Sequence, residues 1–214
     1  MPGADAIFGL LGDVFAPPLC WSCSGLARRG DPLCRECRRA LRRLVPDAVL
    51  LSGVRVWAPV AYAGPARELV RALKFRGAVA LADAMAAQIV ANAPAGLLDG
   101  VTLVPVPLHP KRLRSRGYNQ AAGIAEAIGR RMGIELDDCL TRSGPAVTQV
   151  GRDRAERRAG LAGSIEVAHE PCDRVVLVDD VVTTGATLGA CRQALVASGA
   201  REVTAVAFAR TIGR

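Results

Sequence analysis

Four apolar runs punctuate the chain: GVRVWAPVAYA at Gly53 to Ala63, VTLVPV at Val101 to Val106, VVLV at Val175 to Val178 and VTAVAF at Val203 to Phe208. The first alternates loosely. The others are short and continuous, the pattern of parallel strands covered on both faces. Between them the periodicity lengthens to that of helices, predicted over about Ala66 to Phe75, Val79 to Ala93, Gly117 to Met132 and Leu188 to Ser198. Gly64-Pro65 reads as a break, Pro94 and Gly96 close the second helix, and Gly199 caps the last. Alternating strands and helices predict an α/β Rossmann-like domain with a parallel sheet of about five strands. Ahead of it Ile7, Leu10, Leu11, Val14 and Phe15 recur at helical spacing, predicting a short amphipathic helix that ends before Pro17-Pro18.

The third apolar run leads into the densest polar chemistry of the chain, RVVLVDDVVTTGAT at Arg174 to Thr187. Asp179 and Asp180 stand at the carboxyl end of the expected strand, the edge where open α/β sheets bind ligands. Two adjacent carboxylates there are costly as packing and useful as chemistry. In Thr183-Thr184-Gly185-Ala186-Thr187, Gly185 permits a tight turn, so that amides and threonine hydroxyls converge on an anion at a helix N-terminus. Carboxylates beside a phosphate cradle point to a ribose phosphate. The bland alternative is a strand, turn and helix joined by a polar loop. Neither GxxxxGK[ST] nor GxGxxG is present, which excludes the two commonest nucleotide motifs.

Composition adds a metal site. The 214 residues can bury one substantial core and carry a small appendage. Half are apolar and 4% aromatic, so alanine, valine and leucine must build that core. No apolar run reaches the roughly 18 residues of a membrane span. Asp5 and Asp13, with no basic stretch before the apolar start, argue against a signal peptide, and the expected location is cytoplasmic. Cys20, Cys23, Cys34 and Cys37 form C-x2-C-x10-C-x2-C, a spacing that can gather four thiolates around one tetrahedral Zn²⁺. With all four ligands sulfur, such an ion is structural. Redox-active pairs or two disulfides are the alternatives. Cys139, Cys172 and Cys191 have no partner spacing and are expected as small buried apolar residues.

The segment VVLVDDVVTTGAT closely resembles the phosphoribosyl pyrophosphate (PRPP) signature of type I phosphoribosyltransferases. That resemblance implies a PRPP site over Asp179, Asp180, Val181, Val182, Thr183, Thr184, Gly185, Ala186 and Thr187. The two aspartates, the candidate catalytic residues, would hold the ribose 2- and 3-hydroxyls, and Thr183 to Thr187 the 5-phosphate. Mg²⁺ would arrive with PRPP. Lys111, Arg112, Arg114 and Arg116 lie just beyond the second strand, where cations can neutralise a departing pyrophosphate, or else form a solvated basic loop. His109 is expected as a loop hydrogen-bonder. Lys74 and Arg76, near a helix end, can simply complement the helix dipole.

The chain carries a formal charge of +8. Arg28, Arg29, Arg35, Arg38, Arg39, Arg42 and Arg43 cluster in and after the cysteine knuckle, opposed by Asp31 and Glu36, with Trp21 as the aromatic among them. Contact with single-stranded DNA and a solvated basic face both fit this composition. PVPLHPKRLRSRGYNQA, downstream of the knuckle, LVRALKFRG at Leu69 to Gly77 and RDRAERRAGLAGSIEV at Arg152 to Val167 resemble the ComF family of competence-associated, phosphoribosyltransferase-like proteins. Ala159 and Gly160 depart from the asparagine that family usually carries after its ERR-type sequence. The resemblance implies a type I phosphoribosyltransferase fold at residues 49–214 behind a zinc module at residues 1–48. Residues 143–170 would hold a hood over the substrate. Two functions are compatible with it. One is phosphoribosyl transfer to an unidentified acceptor with release of pyrophosphate. The other is a non-catalytic PRPP-binding accessory role in DNA uptake, with contact to single-stranded DNA or a helicase.

Overall fold

Side-chain alternation along the strands divides the core into two layers. The computed structural model describes residues 18–143 and 164–212. The amphipathic stretch Ile7 to Phe15 and the basic run Arg152 to Arg158 lie outside the described residues. The chain forms α1 (Arg35–Arg39), β1 (Val49–Leu51), β2 (Val54–Trp57), β3 (Val60–Ala61), α2 (Gly64–Phe75), α3 (Leu81–Asn92) and β4 (Thr102–Pro105). There follow α4 (Pro110–Arg116), α5 (Gln120–Met132), β5 (Leu140–Arg142), β6 (Ile165–Val167), β7 (Arg174–Val182), α6 (Ala186–Ala197) and β8 (Glu202–Arg210).

The main sheet has six strands in the order β1-β2-β8-β7-β4, with β3 also pairing to β8. Every pair is parallel except β1–β2, a hairpin whose turn, Ser52-Gly53, has φ of +49° and +81°. Two successive positive φ values match the turn to the strand twist, and they add an antiparallel edge that periodicity did not show. Gly64-Pro65 also departs from expectation. It opens α2 rather than interrupting the chain, because a proline in the first helical turn has no amide to waste.

Val176 and Val178 of β7 pack with Val206 and Phe208 of β8 against α2, α3 and α5. Val175 and Leu177 pack with Ala205 and Ala207 on the opposite face, against α6 and the antiparallel β5–β6 pair. Each such large apolar side chain, buried to 1% or less, is worth about 1.5–3 kcal/mol relative to exposure. Cys20, Leu33, Cys34 and Leu41 of the cysteine knuckle join the first of these layers, so the knuckle is seated on the α/β domain.

The winding places the functional end. From β4 the chain runs through α5, and Glu135 to Asp137 then lie parallel to β4 on its outer side, with Leu103 N–H donating to Glu135 O and Asp137 N–H to Leu103 O, both at 2.9 Å. It returns across the other face through β5, β6 and α6, as crossovers of one hand require when their direction reverses. The reversal falls between β4 and β7. A crevice therefore opens at the carboxyl ends of these two strands, the place where doubly wound sheets bind ligands.

Candidate functional site

Val178 is the last residue of β7 with a partner on β4: it is in register with Pro105, and Val106 N–H donates to its carbonyl at 2.9 Å. Beyond that point β4 departs into α4, while β7 continues beside β8 as far as Val182 opposite Arg210. The strand is thus longer than expected, because β8 supports it where β4 does not. Asp179 and Asp180 line the side so opened, and alternation sends them to opposite faces.

Asp180, only 4% exposed, turns toward α2, where Lys74 Nζ lies 2.8 Å from its Oδ2. In the sequence this pair was visible only as a lysine near a helix end. Tyr118, whose hydroxyl donates to the Leu73 carbonyl, ties the last turn of α2 to the head of α5. Asp179 turns toward α6. Its Oδ1 accepts from the Asp180 amide at 2.8 Å. Burial and then the neighbouring Asp180 charge push the Asp179 carboxyl well above the usual carboxylate range, with Lys74 opposing. The Cys191 thiol is pushed up to about 12 by burial and by Asp179.

The loop after the acids is braced from behind. Gly185 has φ +74°, and a Cβ there would lie 2.7 Å from Leu51 Cβ, so the β1–β2 hairpin leaves room for glycine alone. Ser52 Oγ donates to the Thr184 carbonyl at 3.0 Å and Thr211 Oγ1 to the Thr183 carbonyl at 3.3 Å. Thr183 and Thr184 are exposed, and the first turn of α6 offers amides that have no intrahelical acceptor. Hydroxyls and amides thus share one small rim beside the carboxylates.

The stretch expected as a basic loop is the helix α4. His109 caps it, its Nδ1 accepting from Lys111 N–H at 3.1 Å, with Pro110 in the first turn and left-handed Gly117 at the end. The helix separates the four cations. Arg116 is turned inward, its guanidinium 5.1 Å over the Phe75 ring and donating to Gln120 Oε1 at 2.9 Å. Burial lowers its pKa, and the attraction of Asp180 counters that effect. Lys111, Arg112 and Arg114 are exposed. Arg142, which the sequence did not single out, ends β5 with a buried Nε that has no acceptor among the described residues. Burial lowers its pKa, and the charge of Arg112 adds to that effect.

In the knuckle the sulfurs of Cys20, Cys23, Cys34 and Cys37 lie within 4.8 Å of one another, and Cys23 Sγ is 3.7 Å from Cys34 Sγ. Four Zn–S bonds of about 2.3 Å in a tetrahedron need sulfurs about 3.8 Å apart, so the donor set fits zinc. The amides of Ser22 and Gly25 donate to Cys20 and Cys23 at 3.4 Å, and that of Cys37 to Cys34 at 3.5 Å. Burial and the adjoining sulfurs push the Cys37 thiol up to about 12. At Cys20 burial also pushes upward, but backbone amides outweigh it and bring the thiol down to about 6. Without a cation the four thiolates do not coexist. Of the remaining cysteines, Cys139 and Cys191 are buried as expected, whereas Cys172 is exposed in the turn before β7. Magnesium has no comparable cage: among the described residues Asp179 and Asp180 belong to no three-ligand cluster. No helix among the described residues is long and apolar enough to cross a membrane.

No family model matches the chain. Individual proteins do. Over 206 residues it is 29% identical to the DNA utilization protein YhgH of Escherichia coli O157:H7, covering 91% of each chain. It is 35% identical over 113 residues to competence protein F of Haemophilus influenzae, covering 50% of this chain and 49% of that one. These similarities support a ComF-family assignment. Another relative, competence protein ComFC of Streptococcus pneumoniae, is 32% identical over 108 residues, covering 50% of this chain and 47% of its own. The first of these alignments spans nearly the whole chain, so both the cysteine knuckle and the α/β domain fall within ComF-like sequence.

Proposed function

We propose that this protein binds PRPP at the carboxyl end of β7 and transfers its phosphoribosyl group, releasing pyrophosphate. The observation that carries the reading is the crevice itself. Two adjacent carboxylates stand at the topological reversal, one held by Lys74 at 2.8 Å, with a glycine-turned hydroxyl loop directly after them. Asp179 and Asp180 accept hydrogen bonds from the ribose hydroxyls, and the rim from Thr183 to Thr187 receives the 5-phosphate. The bond from C1 of the ribose to pyrophosphate breaks with its electron pair going to the leaving oxygen, and the acceptor nucleophile closes on C1. Arg116 and Lys74 stand on the α2 side of Asp180, where they stabilise the growing negative charge. Catalysis is positioning and electrostatics.

Calorimetry with ribose 5-phosphate, and with PRPP plus magnesium, tests the pose. Losing one charge-assisted hydrogen bond costs about 1.5–3 kcal/mol, or about tenfold to over a hundredfold in affinity. Asp179→Asn combined with Asp180→Asn is therefore expected to weaken both ligands at least that much, and undiminished affinity overturns the reading. Arg116→Ala is expected to weaken PRPP while sparing ribose 5-phosphate. Lys111→Ala with Arg114→Ala is expected to change neither.

A second reading is favoured by the knuckle. Arg28, Arg29, Arg35, Arg39 and Arg42 are exposed and unpaired among the described residues, beside partly exposed Trp21. The relatives' names refer to DNA utilization and competence. A protein that handles single-stranded DNA in uptake would use this surface, reading phosphates with arginines and stacking a base on Trp21. Replacing these five arginines is expected to flatten the salt dependence of oligonucleotide binding. If uptake persists in Asp179→Asn, Asp180→Asn cells and fails in the arginine variant, the accessory function is the operative one.

A further inference from the structure

A groove of about 580 Å³ runs between the cysteine knuckle and the turn that joins α2 to α3. Leu19, Cys20 and Trp21 line it from the knuckle, and Arg76, Ala80 and Ala84 from the α/β domain. Both parts of the molecule are therefore needed to form it.

The groove is flanked by the exposed aromatic rings of the described residues. Trp57 and Phe208 are buried and Tyr62 and Tyr118 half-buried, whereas Trp21 is 37% and Phe75 70% exposed. Trp21 is part of the knuckle wall, and Phe75 ends α2 immediately before Arg76. The Arg116 guanidinium packs over the Phe75 ring, 5.1 Å from its centroid, which orients the ring without covering it. Rings held in water in this way forgo the burial that places Trp57 and Phe208 in the core, and they are open to a planar partner.

The charges along the groove suit a polyanion. Arg76 is exposed and has no ion pair or side-chain hydrogen bond among the described residues. Asp31, an acid on the lining, is neutralised by Arg38, whose Nη2 lies 2.6 Å from its Oδ2. A free cation between two open rings matches the way single strands are held, with bases stacked on aromatic faces and the backbone phosphates on arginine.

We propose that single-stranded DNA runs through this groove, one base stacking on Trp21, another on Phe75, and a phosphate between them meeting Arg76. The inference rests on the DNA-handling reading above and deepens it: the strand is gripped between the knuckle and the α/β domain rather than by the knuckle alone. A duplex does not fit the arrangement, because its bases are already paired and stacked on one another. The Phe75 end of the track adjoins the crevice, since the preceding residue, Lys74, holds Asp180 at 2.8 Å.

Titration of the zinc-loaded full chain with a short oligothymidylate, followed by tryptophan fluorescence, tests this. Trp57 is 2% exposed and serves as a constant background, so saturable quenching reports on Trp21. Phe75→Ala is expected to weaken binding about fivefold to over a hundredfold, and Phe75→Tyr to restore it, since a stacking face and not mere bulk is required. Arg76→Gln is expected to lower the slope of log affinity against log salt by about 0.7, the value of one phosphate contact on a single strand. Both positions are exposed, so thermal unfolding of the variants is expected to match wild type. If replacing the five knuckle arginines weakens the oligonucleotide while Phe75→Ala and Arg76→Gln leave it unchanged, the strand lies on the knuckle alone and this inference is overturned with the DNA-handling reading intact. Absence of binding by the wild type overturns both. A duplex of the same length that binds as tightly and answers to neither variant also overturns the stacking track.

Discussion

Replacing Lys74 by methionine keeps the length and apolar stem of the side chain and removes its charge from a position 2.8 Å from Asp180 Oδ2. At an effective dielectric constant of about 20, two unit charges at that distance attract by roughly 6 kcal/mol. Much of this is offset by the cost of desolvating both groups, so the intact pair adds little net stability. Removing one partner is different, because it strands the other. Asp180 is 4% exposed and cannot turn to water, whereas the Lys74 side chain retains 19% exposure. Breaking a buried pair in this way costs about 3–5 kcal/mol, and the attraction of Arg116 for Asp180 keeps the loss near the lower end. For a domain of this size about 3 kcal/mol corresponds to a Tm lower by roughly 6–12 °C. Asp180→Asn is expected to cost clearly less, since a stranded Lys74 can move toward solvent. The double variant, Lys74→Met with Asp180→Asn, is expected to recover most of the Lys74→Met loss. Urea and thermal unfolding of the four proteins measure this. A Lys74→Met loss below about 1 kcal/mol, or a double variant as unstable as the sum of the singles, refutes the argument, because either result means that Asp180 is not a desolvated charge held by Lys74.

Metal analysis is expected to find one zinc per chain, lost in Cys20→Ser with Cys37→Ser. Chelation is expected to lower the Tm of the whole domain, because Leu33 and Leu41 of the knuckle are built into the same core as α2 and α3. Gly185→Ala combines a left-handed φ of +74° with a Cβ 2.7 Å from Leu51 Cβ, so urea unfolding is expected to show a loss of about 2–4 kcal/mol and ribose 5-phosphate binding to disappear. At Asp179 the folded-state pKa lies above the unfolded value of about 4, so the folded protein binds the extra proton. Its contribution to stability is complete below about pH 4 and is lost as pH rises through the folded-state value. The urea midpoint of the wild type, measured upward from about pH 4, is expected to fall relative to Asp179→Asn, and parallel profiles would contradict the shift.

The segment from Arg174 to Thr187 shows what local sequence determines about this protein. A β-branched apolar run, paired acids and a glycine among threonines specify a buried strand, a polar end and a tight turn through chemistry within fourteen residues. The cysteine spacing likewise pointed to a four-sulfur cluster, with redox-active pairs and disulfides as alternatives, and the fold brought the four sulfurs within 4.8 Å of one another. Tertiary structure decided which distant groups meet these elements. Lys74 lies more than a hundred residues before Asp180, and only the docking of α2 beside β7 joins them. The fate of the four cations at Lys111 to Arg116 depended on His109 and Pro110 starting a helix, which turned Arg116 inward and the others outward. The β1–β2 hairpin behind Gly185 and the reversal between β4 and β7 are properties of strand order. Strand order is set by which faces can be buried together, and that information is spread over the whole chain rather than held in any one segment.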